Sequence, residues 1–143
     1  MRDLATPGFL AAALLGPLFW AILFGATNPA LHPSWPFERP GEFALLAIAY
    51  PVLEEIVFRG WLQESLRARP WGSRILVRLT CANILTSLAF SLAHLLRHEA
   101  PWAAAMFFPS VLFGHFKDRT GRLLAPIALH VFYNAGYFWL FAG

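Results

Sequence analysis

Two neighbouring carboxylates and one arginine interrupt a long apolar run, at Glu54, Glu55 and Arg59. Residues four apart share one face of a helix, and a glutamate preceding its cationic partner is the favourable order, so Glu55 and Arg59 are predicted to pair. Glu54 lies about 100° round the helix from Glu55, so its charge need not be neutralised by Arg59. Such a carboxylate can accept a proton from water, as a general base does. The alternative is that all three charges only join helices.

Two further apolar segments also carry polar side chains. His94 follows four residues after Phe90, and His130 and Asn134 are four apart, so this last pair shares a helix face. Together with Glu54, they supply one carboxylate, two imidazoles and an amide on three separate segments. A general base with polarising donors is what the attack of water on a carbonyl requires. Taken singly, a buried histidine or asparagine more often hydrogen-bonds one helix to another, which is the alternative here.

The composition indicates an integral membrane protein. Of 143 residues, 58% are hydrophobic and only 13% are charged. Several apolar runs approach the roughly 20 residues that a membrane-spanning helix needs. The net charge of +3 comes from loops rather than from one helix face, which argues against a nucleic-acid partner. A lone cysteine, Cys81, excludes an intramolecular disulfide. We therefore expect an all-α integral membrane protein with one membrane-embedded domain over residues 1–143, in contact with the lipid bilayer.

Five apolar segments are predicted to form a bundle of transmembrane helices around a polar intramembrane site. They are approximately 8–26, 43–62, 79–96, 101–116 and 123–141. The first begins like a signal peptide, but its long apolar core without a clear cleavage site favours a retained span. Residues 28–41 contain four prolines and are expected to form a loop rather than a regular helix.

Basic residues fall mainly on one side of these five helices. Seven Lys or Arg residues lie in the loops after the second and fourth helices, whereas the other two loops hold one each, Arg39 and Arg97. Because cytoplasmic loops carry an excess of Lys and Arg, we predict a cytoplasmic N-terminus and an extracytoplasmic C-terminus in a bacterial inner membrane. In that orientation the polar site opens toward the extracytoplasmic half of the membrane.

Helix geometry sets a condition on this site. At about 1.5 Å per residue, Glu54 lies roughly 16 Å and His94 about 5 Å below the outer ends of their helices. The two side chains can meet only if the third helix extends beyond Arg97, or if the second helix is shifted or kinked at Pro51.

The order of the motifs resembles that of the CPBP intramembrane proteases, a family that includes the type II CAAX prenyl endopeptidases and bacteriocin-processing or self-immunity proteins. The motifs are Glu54-Glu55-x-x-x-Arg59, Phe90-x-x-x-His94 and His130-x-x-x-Asn134. Each lies on a separate apolar segment, and the resemblance covers residues 51–134. The short chain favours a bacterial member, of the JDVT type that serves C-terminal sorting signals rather than prenylated tails.

The resemblance implies hydrolysis of a peptide bond by a glutamate-type mechanism, near the C-terminal end of a membrane-anchored or lipidated protein or peptide. By that analogy Glu54 is the general base that activates water, and His94 helps to hold the water. His130 and Asn134 donate hydrogen bonds to the tetrahedral oxyanion. The ion pair predicted above is then structural. No cofactor and no metal are expected.

Other interpretations of the same residues stay open. Glu54, His94 and His130 make a His₂Glu set of the kind that catalytic zinc uses, although no HExxH motif is present and Asn134 is a poor zinc ligand. A non-catalytic immunity or chaperone-like membrane protein would instead bind a hydrophobic peptide in the same cavity. A small transporter is a third alternative, which the lack of an inverted repeat disfavours.

Overall fold

The computed structural model describes residues 2–141, which are mostly helical; the first residue and the last two of the predicted domain lie outside the described residues. Within these residues, two helices are long and apolar enough to cross a membrane, Pro7–Thr27 and Leu124–Phe141. They correspond to the first and the last predicted spans. That the three segments between them also cross the membrane stays a prediction.

Helices account for nearly all of the regular structure. In chain order the elements are a 3₁₀-helix Arg2–Ala5, α1 Pro7–Thr27, α2 Trp35–Glu38, α3 Pro40–Ala44, a π-helix Leu45–Ala49 (π1), α4 Tyr50–Glu55, a π-helix Ile56–Gln63 (π2), α5 Glu64–Arg67, β1 Ile75–Leu76, β2 Leu79–Thr80, α6 Cys81–His94, α7 Ala100–Ala105, α8 Phe107–Thr120 and α9 Leu124–Phe141. By their contacts they form two compact units. The first unit contains residues up to Leu53 and from Ile127 onward, and the second is Glu54–Pro126. The predicted single domain stays a prediction.

In the first unit, α1 packs on α9 through aromatic side chains. The Tyr133 hydroxyl donates to the carbonyl oxygen of Ala12 at 2.5 Å, and the Trp20 ring lies 5.4 Å from that of Phe132. A Cβ added at Gly136 would come within 2.0 Å of Trp20, so only glycine fits there. The first apolar segment is therefore packed against the last one within this unit.

The proline-rich segment 28–41 contains helix, so the prediction of an irregular loop is wrong there. Helix α2 has Pro36 in its first turn, and α3 begins at Pro40. Proline is tolerated in the first turn because the N–H that it lacks would have no acceptor within the helix. These two prolines therefore mark helix starts rather than breaks.

The third and fourth predicted helices have shifted ends in the structure. Helix α6 begins two residues late, because Leu79 and Thr80 pair in a short antiparallel hairpin and Thr80 then accepts a hydrogen bond from the Asn83 backbone N–H at 3.0 Å. The fourth segment consists of α7 and α8, and α8 continues to Thr120 before Gly121 ends it with φ 68°. The first part of the expected basic loop is thus helical.

Helices α6 and α8 lie in close contact in the second unit. The Asn83 amide donates to the carbonyl oxygen of Val111 at 3.0 Å, and the Ser87 hydroxyl donates to the Asn83 side-chain oxygen at 3.1 Å. Asn83 and Ser87 are fully buried. A Cβ at Gly114 would lie 2.1 Å from the Asn83 oxygen, so the contact requires glycine at this position of α8.

Replacing Gly114 with alanine should destabilise the protein, because the added methyl group displaces the buried Asn83 amide from its bonds. Overpacking of this kind costs about 1–3 kcal/mol. The measurement is the thermal midpoint of the detergent-solubilised protein. Gly25→Ala is the control, since no atom lies within 4 Å of an added Cβ there. Equal midpoints for the two variants would contradict this account of the α6–α8 contact.

Candidate active site

Glu55 and Arg59 form an ion pair in the interior of the second unit. Arg59 Nη1 donates to Glu55 Oε1 at 3.0 Å, and neither side chain has exposed surface. Glu55 is the last residue of α4, and Arg59 lies in π2. Buried charges are stable only when they are paired and hydrogen-bonded. This glutamate is therefore engaged in holding the arginine.

The guanidinium group of Arg59 also contacts two other helices. Its Nη2 donates to the Ser110 carbonyl oxygen at 3.0 Å and to the Ser110 hydroxyl at 2.6 Å. The rings of Phe90 and Phe113 lie 4.7 and 5.5 Å from the guanidinium carbon, as in cation–π contacts. Arg59 thus ties π2 to α6 and α8. Ser110 belongs to no motif, so its role is visible only in the structure.

A hydrogen bond through Nδ1 orients the His94 ring at the end of α6. Nδ1 lies 2.9 Å from the carbonyl oxygen of Phe90, and the two rings are 4.5 Å apart. A carbonyl oxygen only accepts hydrogen bonds, so Nδ1 must carry the proton in this contact. In the neutral ring Nε2 is then an acceptor. His94 can therefore accept a hydrogen bond from a water molecule through Nε2.

A second imidazole, His98, stacks on His94, with ring centroids 5.8 Å apart and planes inclined by 17°. Partial burial lowers the pKa of His98, and His94 and Arg97 lower it further, whereas Glu54 acts in the opposite direction. The neutral form of His98 is therefore favoured near pH 7. Since Glu54 influences this imidazole, its carboxylate lies within electrostatic reach of the end of α6. His98 was not among the predicted site residues, although it follows His94 at helical spacing.

The sequence predicts that Glu54 and His94 can meet only if the third helix extends beyond Arg97 or the second helix is shifted or kinked. The third helix does not extend, because α6 ends at His94. In the second predicted helix, π-helical turns precede and follow α4, as π1 and π2. A π-helical turn bonds five residues apart rather than four, so it shifts the register of the residues that follow it. Such turns occur frequently at functional sites. Here π2 begins directly after the two glutamates.

His130 and Asn134 belong to the first unit. His130 lies in α9 and is only 5% exposed. The Asn134 amide nitrogen donates to the carbonyl oxygen of Leu46 in π1 at 3.4 Å. The structure therefore places Glu54 and His94 in one unit and these two residues in the other. That the four residues act together stays a prediction.

A polar stripe continues beyond Arg59 at four-residue spacing, with Gln63 and Arg67. Both donate to one carboxylate oxygen of Asp118 in α8, at 3.0 and 3.3 Å. The Thr80 hydroxyl donates to the other oxygen at 2.7 Å. Asp118 thus joins π2, α5 and the start of α6. The regular spacing of the stripe could have been read from the sequence, but Asp118 could not, since it was expected in a loop.

Among residues 2–141, no three His, Cys, Asp or Glu side chains are grouped closely enough to hold a metal ion. The expectation that the site works without a metal or other cofactor stays a prediction.

A family model described as type II CAAX prenyl endopeptidase Rce1-like matches residues 35–136. The match covers most of the chain and includes Glu54, His94, His130 and Asn134, so the protein belongs to this family of membrane-embedded endopeptidases. The resemblance to CPBP proteases is thereby confirmed at the family level. No curated protein and no solved structure gives a significant match. The family implies a protein substrate.

Glu55→Ala and Arg59→Ala should each destabilise the protein, because each leaves the other charge buried without its main partner. Breaking such a pair typically costs about 3–5 kcal/mol. The double variant should lose less than the two single losses summed, as measured by thermal or denaturant unfolding in detergent. Losses that add independently would show that the two charges do not stabilise each other.

The exposed pair Arg39–Glu42 is a matched control for this experiment. Its atoms lie at 2.9 Å, but the two side chains are 62% and 55% exposed. Exposed pairs contribute about 0–1 kcal/mol, so Arg39→Ala and Glu42→Ala should change the unfolding midpoint little.

Proposed function

We propose that the protein is an intramembrane glutamate-type endopeptidase that cuts near the C-terminal end of a membrane-associated or lipidated protein. The observation that carries the proposal is the family match over residues 35–136, which contains the whole candidate set. The geometry supports it, because Arg59 is held by Glu55 while Glu54 lies within electrostatic reach of His98, which stacks on His94.

In the proposed reaction Glu54 takes a proton from a water molecule, which His94 holds through Nε2. The resulting hydroxide attacks the scissile carbonyl carbon, and the electron pair of the C=O bond moves onto oxygen. His130 and Asn134 donate hydrogen bonds to that oxyanion, where the loss of one donor commonly costs about 10²–10³ in rate. The oxyanion then collapses, the C–N bond breaks, and Glu54 returns its proton to the leaving amine.

The finer assignments are part of the same proposal. The chain forms one membrane-embedded domain of about five transmembrane helices around the polar site, with the N-terminus in the cytoplasm and the C-terminus outside a bacterial inner membrane. The substrate is a protein carrying a C-terminal sorting signal, as for the JDVT type, and the reaction uses no metal. The charge distribution among the loops supports the orientation.

Glu54→Gln should abolish cleavage while leaving the protein inserted and folded, because glutamine keeps the shape but cannot accept the proton. Loss of a general base typically reduces the rate about 10²–10⁴-fold. The measurement compares intact C-termini of membrane proteins in cells that carry the wild type or the variant. A substrate that accumulates uncleaved identifies the target.

Glu42→Gln, an exposed change in α3, is the matched control and should process normally. Normal processing by Glu54→Gln, with unchanged unfolding, would remove Glu54 from the mechanism. Once a substrate is known, cleavage by purified protein should persist under strong chelation. Loss of activity that zinc restores would favour the metal alternative instead.

The site should open toward the extracytoplasmic half of the membrane. After Cys81→Ser, single cysteines at Ala93 and Ala135, which neighbour His94 and Asn134, should react with a membrane-impermeant thiol reagent in intact cells. Reaction at both positions only in inverted vesicles would place the opening on the cytoplasmic side.

A further inference from the structure

The hairpin between α5 and α6 presents an apolar tip. Ile75, Leu76 and Val77 are 72%, 53% and 94% exposed, so the second unit covers them little. Val77 and Arg78 form the two-residue turn between β1 and β2. Three consecutive exposed apolar side chains at the end of a hairpin are unfavourable in water, because each keeps apolar surface hydrated.

The backbone conformation of this turn does not favour a valine. Val77 and Arg78 have positive φ values of 50° and 71°. Two-residue hairpins with two such residues favour Asn-Gly, Asp-Gly or Gly-Gly. A β-branched residue at positive φ is strained and calls for a reason outside the turn itself. The valine side chain is therefore expected to contact something other than its own hairpin.

Backbone hydrogen bonds hold the base of the hairpin in place. The carbonyl oxygen of Arg74 accepts a hydrogen bond from the Cys81 backbone N–H at 2.9 Å, and that of Gly72 accepts one from the Ala82 N–H at 3.0 Å. These bonds attach the chain that enters the hairpin to the first turn of α6, and the chain that leaves it continues directly into α6. The apolar tip is thus held in a defined position beside the start of α6, a shorter apolar helix.

The charges around the tip indicate what it meets. Arg69, Arg74 and Arg78 flank the apolar residues, and Trp71 is partly exposed. Arginine and tryptophan are the residues that membrane interfaces favour, since their apolar parts reach toward the acyl chains while their polar groups bind headgroups. Anionic phospholipids attract such a basic segment. A soluble protein partner would not by itself account for this combination in a membrane-embedded chain.

We propose that the hairpin formed by β1 and β2, together with the flanking arginines, is an interfacial anchor that binds anionic phospholipid. Its tip inserts among the upper acyl chains of the adjacent leaflet, and the flanking arginines bind the phosphate groups of the lipids. The anchor fixes the start of α6 at the membrane surface. It is independent of the proposed peptidase chemistry and holds whether or not the chain cleaves a substrate.

The test places an environment-sensitive fluorophore on Val77→Cys, in the Cys81→Ser protein reconstituted into vesicles of phosphatidylcholine and phosphatidylglycerol. Lipids spin-labelled high on the acyl chain should quench this probe several-fold more than a probe on Arg119→Cys, an exposed position of α8. Aqueous iodide should show the reverse order. Removing phosphatidylglycerol should weaken the lipid quenching at position 77.

Equal iodide quenching at the two positions would overturn the proposal, because the tip would then stand in water. Shielding from both iodide and the lipid label would also overturn it, since a protein would then cover the tip. Quenching that does not depend on phosphatidylglycerol would overturn the role of the arginines.

Val77→Asn separates anchoring from turn formation, because asparagine suits the positive φ of the turn. With the probe moved to Leu76→Cys, this variant should lose lipid quenching several-fold while its unfolding midpoint stays the same or rises. Unchanged lipid quenching would show that the apolar tip does not anchor the hairpin. A lower midpoint would show that the valine serves the fold of the hairpin.

Discussion

A guanidinium group with no access to water is the constraint on which the second unit depends. Arg59 is fully buried, and its charge is met by Glu55 on one side and by two oxygen atoms of Ser110 on the other. The rings of Phe90 and Phe113 border the same group. Because an uncompensated buried charge is costly, π2, α6 and α8 must keep the positions that supply these partners.

This network has consequences for the residues of the candidate site. Phe90 contacts Arg59 with its ring and His94 with its carbonyl oxygen, so one residue connects the ion pair to the imidazole. Glu54 and Glu55 are adjacent in α4, so the engagement of Glu55 fixes the backbone from which Glu54 projects. Farther along, Asp118 holds the last part of the polar stripe to α8. The chemistry proposed for Glu54 thus depends on a scaffold of side chains that take no part in it.

The helix ends illustrate where local rules succeeded and where they did not. The apolar runs located the helices, because burial in lipid or protein selects long apolar segments. Proline usually breaks a helix, yet Pro36 and Pro40 each stand in the first turn of one, where a missing N–H has no cost. The charges of Lys117 and Asp118 predict a loop, but both residues lie in α8, where Lys117 donates to Glu64 and Asp118 accepts from Thr80.

Relations that act over one helical turn could be predicted from the residues alone, such as those of Glu55 with Arg59 and of His130 with Asn134, because helix geometry fixes which residues share a face. The sequence also identifies the family, because a family model matches residues 35–136, which contain the three motifs. Partners that lie far apart in the chain became visible only in the structure, including Ser110 for Arg59 and Asp118 for Gln63. The π-helical turns on either side of α4 were likewise visible only in the structure. Long-range contacts depend on how separate segments pack, and no residue pattern within one segment encodes them.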